Sequence, residues 1–199
     1  MVWAWWLPGL DMSLRAIGAV VTEVLLTGGM HWDGWADIFD GWGAPPERRE
    51  VARKDSRVGT MGVLFLIVGF GALVQLWRLD ASPVHWPVFF LSPLIARGVI
   101  SVATAVSHPS PHSQLAMWFR SVVDPRGAAV SAALVVGVTL VLMGPRGLVA
   151  DGIVAAAAAA FVRYWTKMFS GMNGDILGAT VIFTELTVLL VGAWGWIWR

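Results

Sequence analysis

Apolar residues run along this chain in blocks of about twenty, with the polar residues gathered between them. A Trp-rich opening over residues 1–11 is broken by Pro8 and Gly9 and is too short to span a membrane. A first helix is predicted over 12–27, stopped by Gly28-Gly29. Five further apolar blocks, at 61–77, 85–106, 128–143, 147–165 and 176–198, are long enough to cross about 30 Å of hydrocarbon. Turn residues separate them: Pro83 and Pro87, Pro109 and Pro111, Pro125 and Gly127, Gly144-Pro145, then Gly171 and Gly174. The alanine run 155–160 favours helix and offers a surface for close packing. The pattern predicts an all-α, polytopic transmembrane bundle of about six membrane helices.

Composition strengthens this picture. Only 14% of the 199 residues are charged, against about 25% in a soluble domain, and 57% are hydrophobic. Thirteen Trp against one Tyr fit an interfacial belt, with Trp3, Trp5, Trp6, Trp77, Trp86, Trp196 and Trp198 at segment ends. The lipid bilayer is therefore a partner. The absence of cysteine excludes disulfides, thiolate metal sites and Cys nucleophiles. A net charge of +1 carries no nucleic-acid signal. The apolar start lacks a basic n-region and a small-residue cleavage site, so it does not read as a signal peptide. No linker or low-complexity tract divides the chain, which reads as one domain over 1–199 with residues 1–18 as an atypical or shortened start. A homo-oligomer stays open.

The charges set the topology. The stretch 44–60 is strongly polar; counting segments alternately puts 107–127 and 166–175 on the same side. With the flanking Arg163, these loops hold Arg48, Arg49, Arg53, Lys54, Arg57, Arg120, Arg126 and Lys167, whereas the other side holds Arg78, Arg146 and Arg199. By the positive-inside rule the first set is cytoplasmic, and six helices place the N-terminus outside. All the polar motifs then lie on the cytoplasmic face. Arg15 and Glu23, two turns apart on the first helix, read as structural, and His108 and His112 as solvated loop residues.

The densest chemistry lies in Gly28-Gly29-Met30-His31-Trp32-Asp33-Gly34-Trp35-Ala36-Asp37-Ile38-Phe39-Asp40-Gly41. On a helix, at about 100° per residue, Asp33, Asp37 and Asp40 fall at roughly 0°, 40° and −20°. Trp32, Trp35, Ile38, Phe39 and Trp42 lie more than about 90° away. Three like charges one turn apart repel, and a cation between them, foremost Mg²⁺, relieves that. Three more groups could meet the stripe at one face: Lys54-Asp55-Ser56-Arg57 with Gly59 and Gly62; Arg97, inside an apolar block; and Asn173-Gly174-Asp175, with Glu185 beyond. Carboxylates beside Arg and Lys suit a phosphate bound with Mg²⁺, and Arg97 needs a partner in an apolar segment.

These residues resemble a known family. The stretch 28–41 is similar to the G-G-x-H-x-D-G-x-A-D-x-x-D-G signature of cobalamin 5′-phosphate synthase, also called adenosylcobinamide-GDP ribazoletransferase. Lys54-Asp55-Ser56-Arg57-Val58-Gly59-Thr60-Met61-Gly62 resembles that family's K/R-D-S-R-x-G-x-x-G block. Arg97-Gly98 falls where its members carry an Arg-Gly pair, and Gly174-Asp175-Ile176-Leu177-Gly178-Ala179 resembles G-D-x-L-G-A. The resemblance runs from about Ala19 to the C-terminus; the family's Thr-Arg-x-Pro element and Gly-Leu-Gly loop have no counterpart here.

The resemblance implies a Mg²⁺-dependent transferase of the prokaryotic inner membrane, with its active site facing the cytoplasm. It would join adenosylcobinamide-GDP to α-ribazole or its 5′-phosphate and release GMP, late in nucleotide-loop assembly. It implies Asp33, Asp37 and Asp40 as metal ligands and catalytic groups, with Asp55 or one of the stripe taking the hydroxyl proton and Asp175 as a further metal ligand. Lys54, Arg57 and Arg97 would neutralise phosphate, and His31, Asn173 and Gly174 would contact substrate. Two other readings of the stripe are a CDP-alcohol phosphotransferase of phospholipid synthesis and a cation transporter. The first wants D-G-x-x-A-R with a later G-x-x-x-D-x-x-x-D, whereas here no Arg follows Ala36. The second places its acids near the midplane, whereas here a basic loop adjoins them.

Overall fold

The computed structural model describes residues 10–79, 86–111 and 113–194. The Trp-rich start, Pro83 and His85, His112, and Trp196, Trp198 and Arg199 at the end lie outside them, as does the Trp86 side chain. The described chain is helical, with helices α1 (Met12–Thr27), α2 (Met30–Gly43), α3 (Arg49–Arg53), α4 (Thr60–Leu79), α5 (Trp86–Val106), α6 (Gln114–Val122), α7 (Pro125–Met143), α8 (Pro145–Met168) and α9 (Gly174–Ala193). Among the described residues there is no strand; one isolated bridge joins Pro109 and Met172.

Each boundary has a local cause. Asp11 caps α1, its Oδ1 accepting from the Ser13 amide at 2.7 Å. Gly28 and Gly29 end α1 with φ of +61° and +75°, the left-handed region that a side chain resists. They turn the chain by 90° into α2. Asp124 caps α7, and Pro125 takes its first position. Gly144 closes α7 and opens α8 in one residue, and Asn173 caps α9 through the Ile176 amide at 2.9 Å.

Five helices, α4, α5, α7, α8 and α9, are long and apolar enough to cross a membrane, and the bent pair α1–α2 makes a sixth if counted as one span. This matches the expected number. The elements not foreseen are α3 and α6, inside the two polar loops. The signal for α6 is Ser113, whose Oγ accepts from the Ala116 amide. Helix α9 is the axis: 72% of its apolar window is buried, against 11% for α7. It packs on α2, α5, α8 and α4. The outer faces of α4, α7 and α8 stay apolar and exposed (Ile67, Leu134 and Ile153, for example), as a lipid-facing wall requires.

Trp32, Trp35, Ile38 and Phe39 on the apolar side of α2 are buried, as the helical wheel predicts, whereas Trp42 is exposed. Phe39 stacks on Phe65 at 3.6 Å between centroids and meets Trp165 edge-on. Trp35 Nε1 donates to the Phe65 carbonyl at 2.9 Å. These rings join α2 to α4 and α8. Where α2 meets α9, small residues let the backbones touch. A Cβ on Gly34 would fall 2.6 Å from the Asp175 carbonyl oxygen, and one on Gly178 3.0 Å from the Met30 carbonyl oxygen.

The three basic connections meet at one end. Gly41 lies under Phe169, Arg53 reaches Asp175, and the Ser110 amide donates to the Met172 carbonyl at 2.7 Å. The chain is thus a multi-pass membrane protein whose polar motifs share one end. Gly34→Ala should destabilise the detergent-solubilised protein by about 2–3 kcal/mol, because a backbone cannot retreat from the new methyl. Gly152→Ala, with nothing within 4 Å, should leave melting unchanged or slightly raised. Equal melting of the two variants would show that the α2–α9 contact carries no such constraint.

Candidate active site

Along α2 the stripe forms as the wheel requires, but its members differ. Asp33 is exposed, and Asp37 and Asp40 are half-buried. Both oxygens of Asp40 are engaged, one accepting from the Gly59 amide and the other from the Gly62 amide, each at 2.7 Å. A Cβ at Gly59 or Gly62 would lie 2.4 Å from an Asp40 oxygen, so the paired glycines are what lets the amides close on the carboxylate. Asp40 thereby sits at the N-terminus of α4, where free amides and the helix dipole favour an anion. Its first role is to dock α2 on α4.

Asp37 is pushed up to about 6, first by burial and then by the charge of Asp33; Asp40 adds to this and Arg53 opposes it. The stripe therefore carries a surplus of negative charge. Asp175 comes alongside from α9, since Gly34 packs on its backbone. Among the described residues no three carboxylates or imidazoles enclose a common metal position as they stand. Asp33, Asp37 and Asp175 are nevertheless an all-oxygen donor set on two touching helices, partly exposed, and such a set fits a hard divalent cation.

Arg53 is the site residue that sequence reasoning missed, counting it only among the basic loop charges. It is 7% exposed. Its Nη1 binds Asp175, its Nη2 binds Glu50 at 2.7 Å, and its guanidinium lies over the Phe169 ring at 5.6 Å. Helix α3 holds it there. Nothing in composition separates Arg53 from Arg48 or Arg49; Glu50 three residues earlier is the only hint.

Lys54, Asp55 and Arg57 stand apart from the stripe. Lys54 faces Glu50 at 3.8 Å, and Arg57, its side chain 87% exposed, forks onto Asp55 at 3.1 and 3.0 Å. Those hydrogen bonds from Arg57 lower Asp55 to about 2 and make it a weak base. Asn173 and Gly174 serve the corner before α9. The Asn173 side chain is buried as the helix cap, and a Cβ on Gly174 would meet Leu115 of α6.

His31 and Arg97 belong to a polar layer among α1, α2, α5 and α9. Arg97 Nη1 binds Glu185 Oε1 at 2.5 Å, which supplies the partner an arginine in an apolar segment requires. Glu23, 2% exposed, lies beside Glu185. His31 is half-buried, with Arg97 near it.

Apolar spans around α9, with carboxylates and a buried guanidinium crowded at one end, define a polytopic membrane protein with an acid-rich site at one end of its bundle. The chain belongs to the cobalamin-5-phosphate synthase family, whose model matches residues 1–193. It is similar to adenosylcobinamide-GDP ribazoletransferases of several bacteria. That of Nitratidesulfovibrio vulgaris is 30% identical over 89% of this chain and 71% of the relative. That of Bradyrhizobium diazoefficiens is 34% identical over 93% and 72%, and that of Allorhizobium ampelinum 36% over 91% and 73%. The chain is accordingly an enzyme of the transferase class. No solved structure matches it.

Arg53→Met, which keeps the stem and removes the charge, strands Asp175 and should cost about 2–3 kcal/mol, read as thermal melting in detergent. Asp37 supplies a pH dependence. Its raised pKa means the native state holds a proton that the unfolded chain releases between about 4 and 6. Its contribution is full below the ordinary value of 3.8 and is lost as pH rises through about 6. In metal-free buffer, Asp37→Asn should remove that slope and gain about 1 kcal/mol at pH 7, discounted for partial exposure. An unchanged slope would mean that the stripe is not under charge strain.

Proposed function

We propose that this chain joins adenosylcobinamide-GDP to α-ribazole or its 5′-phosphate, giving adenosylcobalamin or its 5′-phosphate and releasing GMP. The reaction requires Mg²⁺ and runs at the cytoplasmic face of a prokaryotic inner membrane. The names of the relatives support the substrates. The basic loops gathered at the site's end support the orientation, by the positive-inside rule. The observation that supports the reading is the close approach of Gly34, between Asp33 and Asp37 on α2, to the Asp175 backbone, with Arg53 bound to the Asp175 carboxylate.

The ribose 3′-hydroxyl attacks the phosphorus on the corrinoid side of the diphosphate. The bond to the bridging oxygen breaks, and GMP leaves with that oxygen. Asp33, Asp37 and Asp175 would hold Mg²⁺, and the ion would supply neutralisation of the diphosphate charge. Arg53 fixes Asp175 in place. Asp40 holds the stripe's last turn against α4. Lys54 and Arg57 stand exposed at the rim, and a phosphate oxygen replacing Asp55 as Arg57's partner lets the guanidinium take up phosphate charge. The hydroxyl proton goes to a carboxylate of the stripe or to Asp55, which the phosphate frees from Arg57. The Arg97–Glu185 pair ties α5 to α9 near His31 at the start of α2.

The test is GMP release from adenosylcobinamide-GDP by the purified protein, with and without added α-ribazole. Release should depend on both the ribazole and Mg²⁺, and Asp37→Asn should lower kcat by about 100-fold or more while the protein stays folded. Full activity in Asp37→Asn with unchanged Mg²⁺ dependence would overturn the site assignment. No ribazole-dependent GMP release from the wild type would overturn the function.

A further inference from the structure

Outside the acid-rich site, α5, α7 and α8 enclose an open groove of about 790 Å³. Its walls are apolar, including Val99 and Val102 of α5 and Val136 of α7. On α8 the lining includes an i, i+4 ridge of Asp151, Ala155, Ala159, Arg163 and Lys167, with Ala158, Val162 and Thr166 beside it. The two alanines are exposed and leave the trough open to hydrocarbon; larger side chains there would fill it. Arg163 and Lys167 close the basic end, joined by His108 and Ser170, and neither cation forms an ion pair among the described residues. Asp151 stands at the far end, about 18 Å along the helix from Arg163.

We propose that this groove binds one anionic phospholipid, its phosphate on Arg163 and Lys167 and one acyl chain lying along Ala159 and Ala155. Charge complementarity selects the headgroup: two unpaired cations sit where the apolar walls give way to the polar end of the bundle. The dimensions select an acyl chain. From Arg163 to Asp151 the trough slightly exceeds the ~15 Å half-thickness of the hydrocarbon, so a tail of one leaflet ends before the carboxyl. Between its two ends the trough is walled by Val, Ile and Ala with no Phe, Tyr or Trp, and its polar lining groups sit at the ends, which disfavours a free nucleotide along it. The inference stands on the groove alone and does not depend on the transferase reading.

The experiment is native mass spectrometry of the full chain released from nanodiscs of phosphatidylglycerol and phosphatidylcholine in equal parts. The wild type should retain one phosphatidylglycerol in preference to phosphatidylcholine. Arg163→Gln with Lys167→Gln should lower that preference about fivefold or more. Ala159→Trp, at an exposed position, should abolish retention of either lipid with its helical circular dichroism unchanged. Equal retention of the two lipids by the wild type would overturn the proposal. So would an undiminished preference in the double variant, or undiminished retention in Ala159→Trp. Displacement of the retained lipid by added adenosylcobinamide-GDP in the wild type would overturn the proposal and reassign the groove to the substrate.

Discussion

The site depends on one constraint: α2 must lie against α9 closely enough for carboxylates of both to face one region. Gly34 and Gly178 make this possible, because each removes a side chain where a backbone carbonyl passes at contact distance. The Phe39–Phe65 stack and the Trp165 and Phe161 rings then press α2 from its other side. Packing thus holds three acidic groups on one short helix at separations their mutual repulsion opposes. Asp37 registers the cost in its raised affinity for protons.

Neutralisation is divided among three devices. The N-terminus of α4 takes Asp40 without using a cation. Arg53 takes Asp175, its long side chain buried against Phe169. Among the described residues no cationic side chain is ion-paired with Asp33 or Asp37, which makes them the part of the stripe open to an external positive charge. A layer deeper, Arg97 and Glu185 tie α5 to α9 beside Glu23 and His31, so the start of α2 rests on a polar floor.

Much of this was legible in the chain. The helical wheel of 28–41, the spans and the shared end of the basic loops follow from periodicity and charge, which local geometry and the membrane enforce directly. Gly59 and Gly62 were legible as a motif, but their bond to Asp40 was not, because it joins residues about twenty apart through backbone amides that every residue type has. Arg53 was hidden for a related reason. In a loop with several arginines, only the tertiary fold decides which one is buried. Lys54 and Arg57 show the converse: their motif stands out, yet their partners are the neighbouring acids Glu50 and Asp55.

The clasp of Asp40 by Gly59 and Gly62 also turns the intervening polar segment into a closed ring, sealed at its base by two hydrogen bonds. The entropy of closing such a ring rises only with the logarithm of its length, about 0.6 kcal/mol per doubling. Residues can therefore be inserted or removed at the ring's outer turns, away from Arg49–Arg53, without shifting where α4 begins. The clasp separates the length of the loop from the geometry of the acid stripe, leaving the loop's outer surface free to diverge around a fixed site.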